Sequence, residues 1–206
     1  MSGERPFVLC LTGSLGMGKS RTAKFFAEAG VPVHDSDAVV HALYEGEAVP
    51  IIAQAFPGAT AGGKVDRAKL ATMVLGDDAA LARLEAIMHP LVSVSRDKFL
   101  AEAQVRGAPV VVLDIPLLFE IGAQRSCDAV VVVSAPPEIQ RQRAFERPGM
   151  TEEKLAALLA KQMPDAEKRR RADFIVDSSQ SFDHARAQVR DILRVVAKMR
   201  KRSSDS

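Results

Sequence analysis

The stretch Phe7-Val8-Leu9-Cys10-Leu11-Thr12-Gly13-Ser14-Leu15-Gly16-Met17-Gly18-Lys19-Ser20 decides how the chain is read. Its apolar start, with no polar alternation, predicts a strand covered on both faces. Residues 13–20 then fit G-x-x-x-x-G-K-S, and a helical pattern follows over 19–29, with Ala23, Phe26 and Ala27 on one face and Gly30 as a stop. Glycines let such a loop fold tightly, so that successive N–H groups and the helix N-terminus face phosphate oxygens. Lys19 is placed to reach the β and γ phosphates of a nucleoside triphosphate, and the Ser20 hydroxyl to bind Mg²⁺. A chance glycine turn before a helix is the alternative. The order strand, Gly18-Lys19-Ser20, helix argues against it.

Working outward, 110–113 and 129–133 are two further apolar runs dominated by valine. Weaker strand candidates lie at 31–33 and 174–176, and Pro32 assigns the first of these to a sheet edge or a strand start. Strands alternating with helices predict an α/β fold, a doubly wound five-stranded parallel sheet with right-handed crossovers. Phe182, Ala185, Val189, Ile192, Leu193 and Val196 recur at helical spacing, so a C-terminal helix should pack on the core. Residues 38–106 break the alternation. They read as helical pieces at 37–44, 49–55, 66–75 and 77–88 and a longer one after Pro90, with Asp66 and Asp77 as N-caps. No strand-like run occurs there, which is far beyond an ordinary crossover. We read 38–106 as a helical insertion and the basic segment 136–171 as a lid, leaving a core of 1–37, 107–135 and 172–206 in one domain. The tail 198–206 reads as disordered.

Composition narrows the function classes. The 206 residues are 47% hydrophobic and 26% charged with a net charge of +2. That suits one soluble domain and is too mild to argue for nucleic acid. Cys10 and Cys127 sit in apolar runs and read as small buried hydrophobes rather than a disulfide or metal ligands. His34, His41, His89 and His184 make no metal-ligand spacing. No apolar run approaches the roughly 18 residues that would span a bilayer, and the start of the chain lacks the pattern of a signal peptide. The expectation is a cytoplasmic monomer acting on small molecules, with no membrane partner.

Four further groups bear chemistry. Asp35-Ser36-Asp37 follows the second strand, at the carboxyl end where ligands of such sheets bind. A carboxylate there can take the proton of an attacking hydroxyl, although Asp37 could equally cap the next helix. Asp114, closing the strand 110–113, matches a Walker B position that holds Mg²⁺ directly or through water; a strand-end turn is the alternative. Glu120 could join that chemistry or sit only on a solvated helix. Arg143 and Arg147 stand four apart on a predicted helix and share a face, as suits a lid that stabilises a transferring phosphoryl group. The remaining basic residues of the segment, Lys168 among them, read as a solvated face. His89-Pro90 reads as a helix end.

Taken together, residues 11–20, Val33-His34-Asp35-Ser36-Asp37, Ile87-Met88-His89-Pro90, Asp114-Ile115-Pro116-Leu117-Leu118-Phe119-Glu120, 140–147, Gln162 and Ala172-Asp173-Phe174-Ile175-Val176-Asp177 resemble the dephospho-CoA kinase family. The resemblance covers nearly the whole chain and implies phosphorylation of the ribose 3′-hydroxyl of dephospho-CoA by ATP with Mg²⁺. It implies that Gly13, Gly16, Met17, Gly18, Lys19, Ser20 and Arg21 surround the ATP phosphates. Asp37 would be the base, Asp35 and His89 acceptor contacts, and Leu117, Leu118 and Phe119 the acceptor lining. Lys19, Arg143 and Arg147 would act on the transferring group, and Ser20 and Asp114 on the metal. Arg21 stands where the family usually has threonine, and Ser178 and Gln180 where asparagine and glycine are usual. Other small-molecule kinases share the loop and lid but lack the H-P and D-x-P-L-L-F-E stretches. A GTP-reading switch would carry an N-K-x-D-type motif, which this sequence lacks.

Overall fold

A computed structural model describes residues 4–204, without the side chains of 201–204. The chain divides into two compact units, one running up to His34 and resuming at Ala103, the other Asp35–Glu102.

The first unit is built on a five-stranded sheet of β1 (Phe7–Thr12), β2 (Val33–Asp35), β5 (Val110–Asp114), β6 (Ala129–Ser134) and β7 (Phe174–Asp177). Spatial order is β2-β5-β1-β6-β7, and the β1–β5, β1–β6 and β6–β7 pairs are parallel. The register sets Leu9 opposite Val112 on one side and Ala129 on the other. Leu9, Leu11, Val112, Val131, Val133 and Val176 turn to one face, where Phe25 and Phe26 of α1 (Lys19–Glu28) and Val189 and Val196 of α9 (Phe182–Ser204) cover them. Alternate residues Cys10, Val111 and Val132 are buried as completely. Both faces are therefore covered, which is why these strands read as unbroken apolar runs.

Strand β2 begins two residues later than the sequence predicts. Pro32 has no N–H to give to a ladder, so it contributes only its carbonyl, which accepts from Val112 N at 2.9 Å. The edge position does hold. After β6 come α6 (Pro137–Phe145), α7 (Glu152–Ala160) and α8 (Asp165–Arg170). Helix α9 continues to Ser204, so the tail expected to be disordered is helical from 198 to 204; 205 and 206 lie outside the described residues.

Cys10 and Cys127 form a disulfide, contrary to the expectation of two separate buried thiols. The loop entering β6 runs beside β1, with Asp128 N donating to Val8 O, and this brings the two Cα atoms to 5.7 Å across 117 residues of sequence. Spacing along the chain could not show it.

The second unit holds α2 (Ser36–Tyr44), α3 (Ala48–Ala55), α4 (Arg67–Val74) and most of α5 (Asp78–Val105) around Leu43, Ile52, Phe56, Leu70 and Met88. Asp66 and Asp77 cap α4 and α5 as expected, through Ala68 N and Lys69 N and through Ala80 N. Two elements differ from the sequence reading. A small hairpin, β3 (Thr60–Ala61) with β4 (Lys64–Val65), turns on Gly62 and Gly63, both at positive φ as a two-residue hairpin turn demands. Its strands are too short for any periodicity to reveal. The helix also does not stop at His89-Pro90: α5 runs straight through. Pro90 removes one N–H, the one that would bond Ala86, while Leu84, Ile87, Met88, Leu91 and Val92 on both sides pack into one core. Among the described residues no helix is long and apolar enough to cross a membrane.

Candidate active site

The glycine-rich loop leaves the carboxyl end of β1, the central strand, and enters α1. Gly18 occupies the N-cap of α1 with no side-chain cap, while its carbonyl accepts from Arg21 N and Thr22 N, both at 3.1 Å. The leading N–H groups of α1 thus have no capping side chain and form the positive end of the helix dipole, a site for anionic oxygens. Gly16 has φ +78, and a Cβ there would stand 2.6 Å from the Gln140 carbonyl, so glycine is required twice over. Met17 points inward and its Sδ accepts from Ala135 N at 3.1 Å.

Lys19 reaches across to Asp114, with Nζ 2.6 Å from Oδ1. Asp114 closes β5 opposite Leu11 and is 1% exposed. The strand-end acid is therefore part of the loop's own charge system, and it holds the ammonium extended beside the anion site. Ser20 is exposed on the first turn of α1. Its hydroxyl and the Asp114 carboxylate are hard oxygen donors of the kind Mg²⁺ takes. Arg21 lies with its guanidinium 4.7 Å from the Phe182 ring centroid, which in turn meets Phe25 edge-on at 6.3 Å. That stacking occupies the side chain standing at the family's usual threonine.

Three side chains from beyond β6 grip the loop. Gln140 Nε2 donates to Leu15 O at 2.8 Å, and Leu15 N donates to Gln162 Oε1 at 3.2 Å. Arg143 donates through Nη1 to Ser178 Oγ at 2.9 Å and through Nη2 to Ser178 O at 2.7 Å. Ser178 Oγ donates onward to Met17 O at 2.7 Å. Ser178 thus fixes Arg143 to the phosphate loop. Arg147 does not share a helical face with Arg143. Helix α6 ends at Phe145, and Arg147 sits exposed in the following turn, its N donating to Ala144 O, because Pro148 disfavours helical backbone before it.

Of the run after Asp114, Leu118 and Phe119 are buried and Leu117 is exposed. Glu120 is not on a solvated helix. Its Oε1 accepts from Met163 N at 2.8 Å and lies 2.9 Å from Lys168 Nζ. Burial alone would raise the Glu120 carboxyl, but Lys168 and the Met163 N–H outweigh it and hold the group below the usual range. Lys168, read from its charge run as solvated, is fully buried. A lysine among arginines gives no signal of burial; only the partner forty-eight positions upstream explains it.

Asp35, Asp37 and His89 belong to the second unit. Asp35, not Asp37, is the N-cap of α2, its Oδ1 accepting from Asp37 N at 2.9 Å and Ala38 N at 3.0 Å. Asp37 is exposed in the first turn, and His89 is exposed on α5. The capping alternative weighed for Asp37 thus falls to its neighbour.

Known proteins bear on the same residues. A profile of the dephospho-CoA kinase family matches residues 7–184. A dephospho-CoA kinase of Mesorhizobium japonicum is 63% identical, over 90% of this chain and 94% of the relative. One from Rhodopseudomonas palustris is 60% identical, over 95% and 98%. A crystal structure from Thermus thermophilus superposes with a TM-score of 0.82 at 34% identity, over 93% of this chain and 98% of that one. With the phosphate loop, the Lys19–Asp114 pair and the whole sheet inside the matched span, the chain belongs to the dephospho-CoA kinase family.

Proposed function

We propose that this chain carries out its family's reaction, transfer of the γ-phosphoryl group of ATP to the ribose 3′-hydroxyl of dephospho-CoA in the last step of coenzyme A synthesis, with Asp37 as the base. The observation that carries the nucleotide half is the Lys19–Asp114 pair at 2.6 Å beside an α1 N-terminus that no side chain caps. The N–H groups of the loop hold the phosphate chain, and Lys19 neutralises charge on its β and γ oxygens. Ser20 and Asp114 would hold Mg²⁺, which supplies further charge neutralisation on those oxygens. Arg143, tied to the loop through Ser178, adds a cation on the same side.

In the transfer, the 3′-oxygen bonds to Pγ, the bond from Pγ to the bridging oxygen breaks, and ADP leaves. The hydroxyl proton passes to a carboxylate. Both carboxylates are exposed, and Asp37 is our choice because Asp35 Oδ1 is occupied with two backbone N–H groups as the cap of α2. Asp35, His89 and Leu117 remain candidate acceptor contacts, and Arg147, exposed beyond α6, a candidate lid arginine. Closure over ATP of the part of 136–171 between its anchored ends would exclude water. The need for ATP favours the cytoplasm.

Asp37→Asn tests the assignment. MgATP affinity should stay as in the unaltered protein, while kcat falls about 10²- to 10⁴-fold, the usual worth of a general base. An unchanged kcat removes Asp37 from the role.

A further inference from the structure

The chain from the turn after α7 into α8 is fixed at four points. Gln162 Oε1 accepts from Leu15 N at 3.2 Å, in the phosphate loop. Met163 N donates to Glu120 Oε1 at 2.8 Å. Asp165 Oδ2 accepts from Ser134 Oγ at 2.8 Å, at the end of β6. Lys168 Nζ lies 2.9 Å from the same Glu120 oxygen. One carboxylate oxygen therefore takes both an ammonium and the amide next to the residue that touches the loop. A buried ion pair is a poor source of stability, since desolvating two charges offsets most of their attraction. What such a pair does supply is fixed geometry.

We propose that Glu120 and Lys168 are positioning residues for the nucleotide site: their ion pair locks Met163, and through it seats Gln162 on the Leu15 N–H, so that the loop keeps the shape that accepts the phosphates. Neither residue touches the anion site. Both act through Gln162, while Gln140 holds the other side of the Leu15 residue by its carbonyl at 2.8 Å. The sharp demand at Gly16, where a Cβ would meet the Gln140 carbonyl at 2.6 Å, shows how closely the 136–171 segment abuts the loop. Lys168 and the Met163 N–H hold the Glu120 carboxyl below its usual range, so it carries its negative charge at neutral pH.

The inference rests on reading residues 13–20 as the nucleotide site, so the test reads equilibrium binding of MgATP by calorimetry, with no acceptor present. Gln162→Ala should weaken MgATP about five- to tenfold, the loss of one neutral hydrogen bond. Lys168→Met and Glu120→Gln should weaken it by up to the same factor and no more, and Lys168→Arg should restore most of the affinity. Lys168→Met combined with Gln162→Ala should bind no worse than the weaker of the two single variants, because the pair acts through one contact. If either single Lys168 or Glu120 variant fails to fold, Gln162→Ala and the charge-free double variant Lys168→Met with Glu120→Gln decide the matter. Unchanged MgATP affinity in Gln162→Ala overturns the proposal. So does a Lys168→Met protein that melts earlier yet binds MgATP normally, and so do effects that multiply in the double variant. Failure of the unaltered protein to bind MgATP would instead sink the nucleotide reading itself.

Discussion

Two aspartates two positions apart, Asp35 and Asp37, show what single residues reveal and conceal. Both were legible as carboxylates at the end of a strand, and the sequence reading gave the helix cap to Asp37 as its alternative role. The backbone decides, since Asp35 Oδ1 meets two N–H groups of α2. Lys19 and Gly16 were legible because the spacing of the loop is local, and Asp114 because an acid closes an apolar strand, although its Lys19 partner stands 95 positions away. Lys168, Gln162 and Ser178 were not, because each derives its role from a partner far along the chain. Gly16→Ala is the sharpest residue-scale prediction. Positive φ alone costs on the order of 1–2 kcal/mol for alanine, and the Gln140 carbonyl adds a clash. We expect a lower melting temperature and a raised KM for ATP in that variant; an unchanged KM would mean that the loop can rearrange without cost.

Elements separate along the same line. The strands β1, β5 and β6 were legible to within a residue or two, because burial on both faces writes itself into the sequence as continuous valine and leucine. Helix α5 was not, because proline ordinarily ends a helix and only the apolar contacts on both sides of Pro90 carry it through. The hairpin at 60–65 is too short to be seen at all. The Cys10–Cys127 bond ties β1 to the loop before β6, and thiol titration of the denatured protein should find no thiol without reductant and two with it. Closing a loop of over a hundred residues is worth about 4–5 kcal/mol in the chain-entropy account, so reduction should lower the melting temperature. Two reactive thiols in untreated protein would remove the bond from the description. Lys168→Ala should cost about 3–5 kcal/mol in urea unfolding, since it leaves the Glu120 charge without its partner. A cost below about 1 kcal/mol would place the pair among ordinary surface bridges.

For the whole molecule, the five-stranded sheet and the strand-then-helix rhythm followed from pattern, and so did the presence of a long helical stretch before β5, whereas the order β2-β5-β1-β6-β7 comes from the structure. Acid stability also belongs to this scale. Glu120, Asp128 and Asp177 all titrate below their ordinary values. Burial opposes the shift in Glu120 and Asp128, and Lys168 with Met163 N–H and Arg5 with Val8 N–H overcome it. The Ser179 contacts lead in Asp177. A lowered carboxylate stabilises the fold above its unfolded value, and the gain disappears as pH falls through the lower folded value. Urea midpoints should thus hold level from neutral pH to about 5 and fall below about 4, where unfolded carboxylates take up protons. Stability that rose on acidification in that range would contradict the three assignments.

The measurement that bears most directly on the central claim is phosphorus NMR of the products formed by this chain from MgATP and dephospho-CoA. One ribose 3′-phosphate monoester should appear for each ADP released, with little inorganic phosphate. ADP accompanied only by inorganic phosphate, or no turnover by folded protein that binds MgATP, would contradict it.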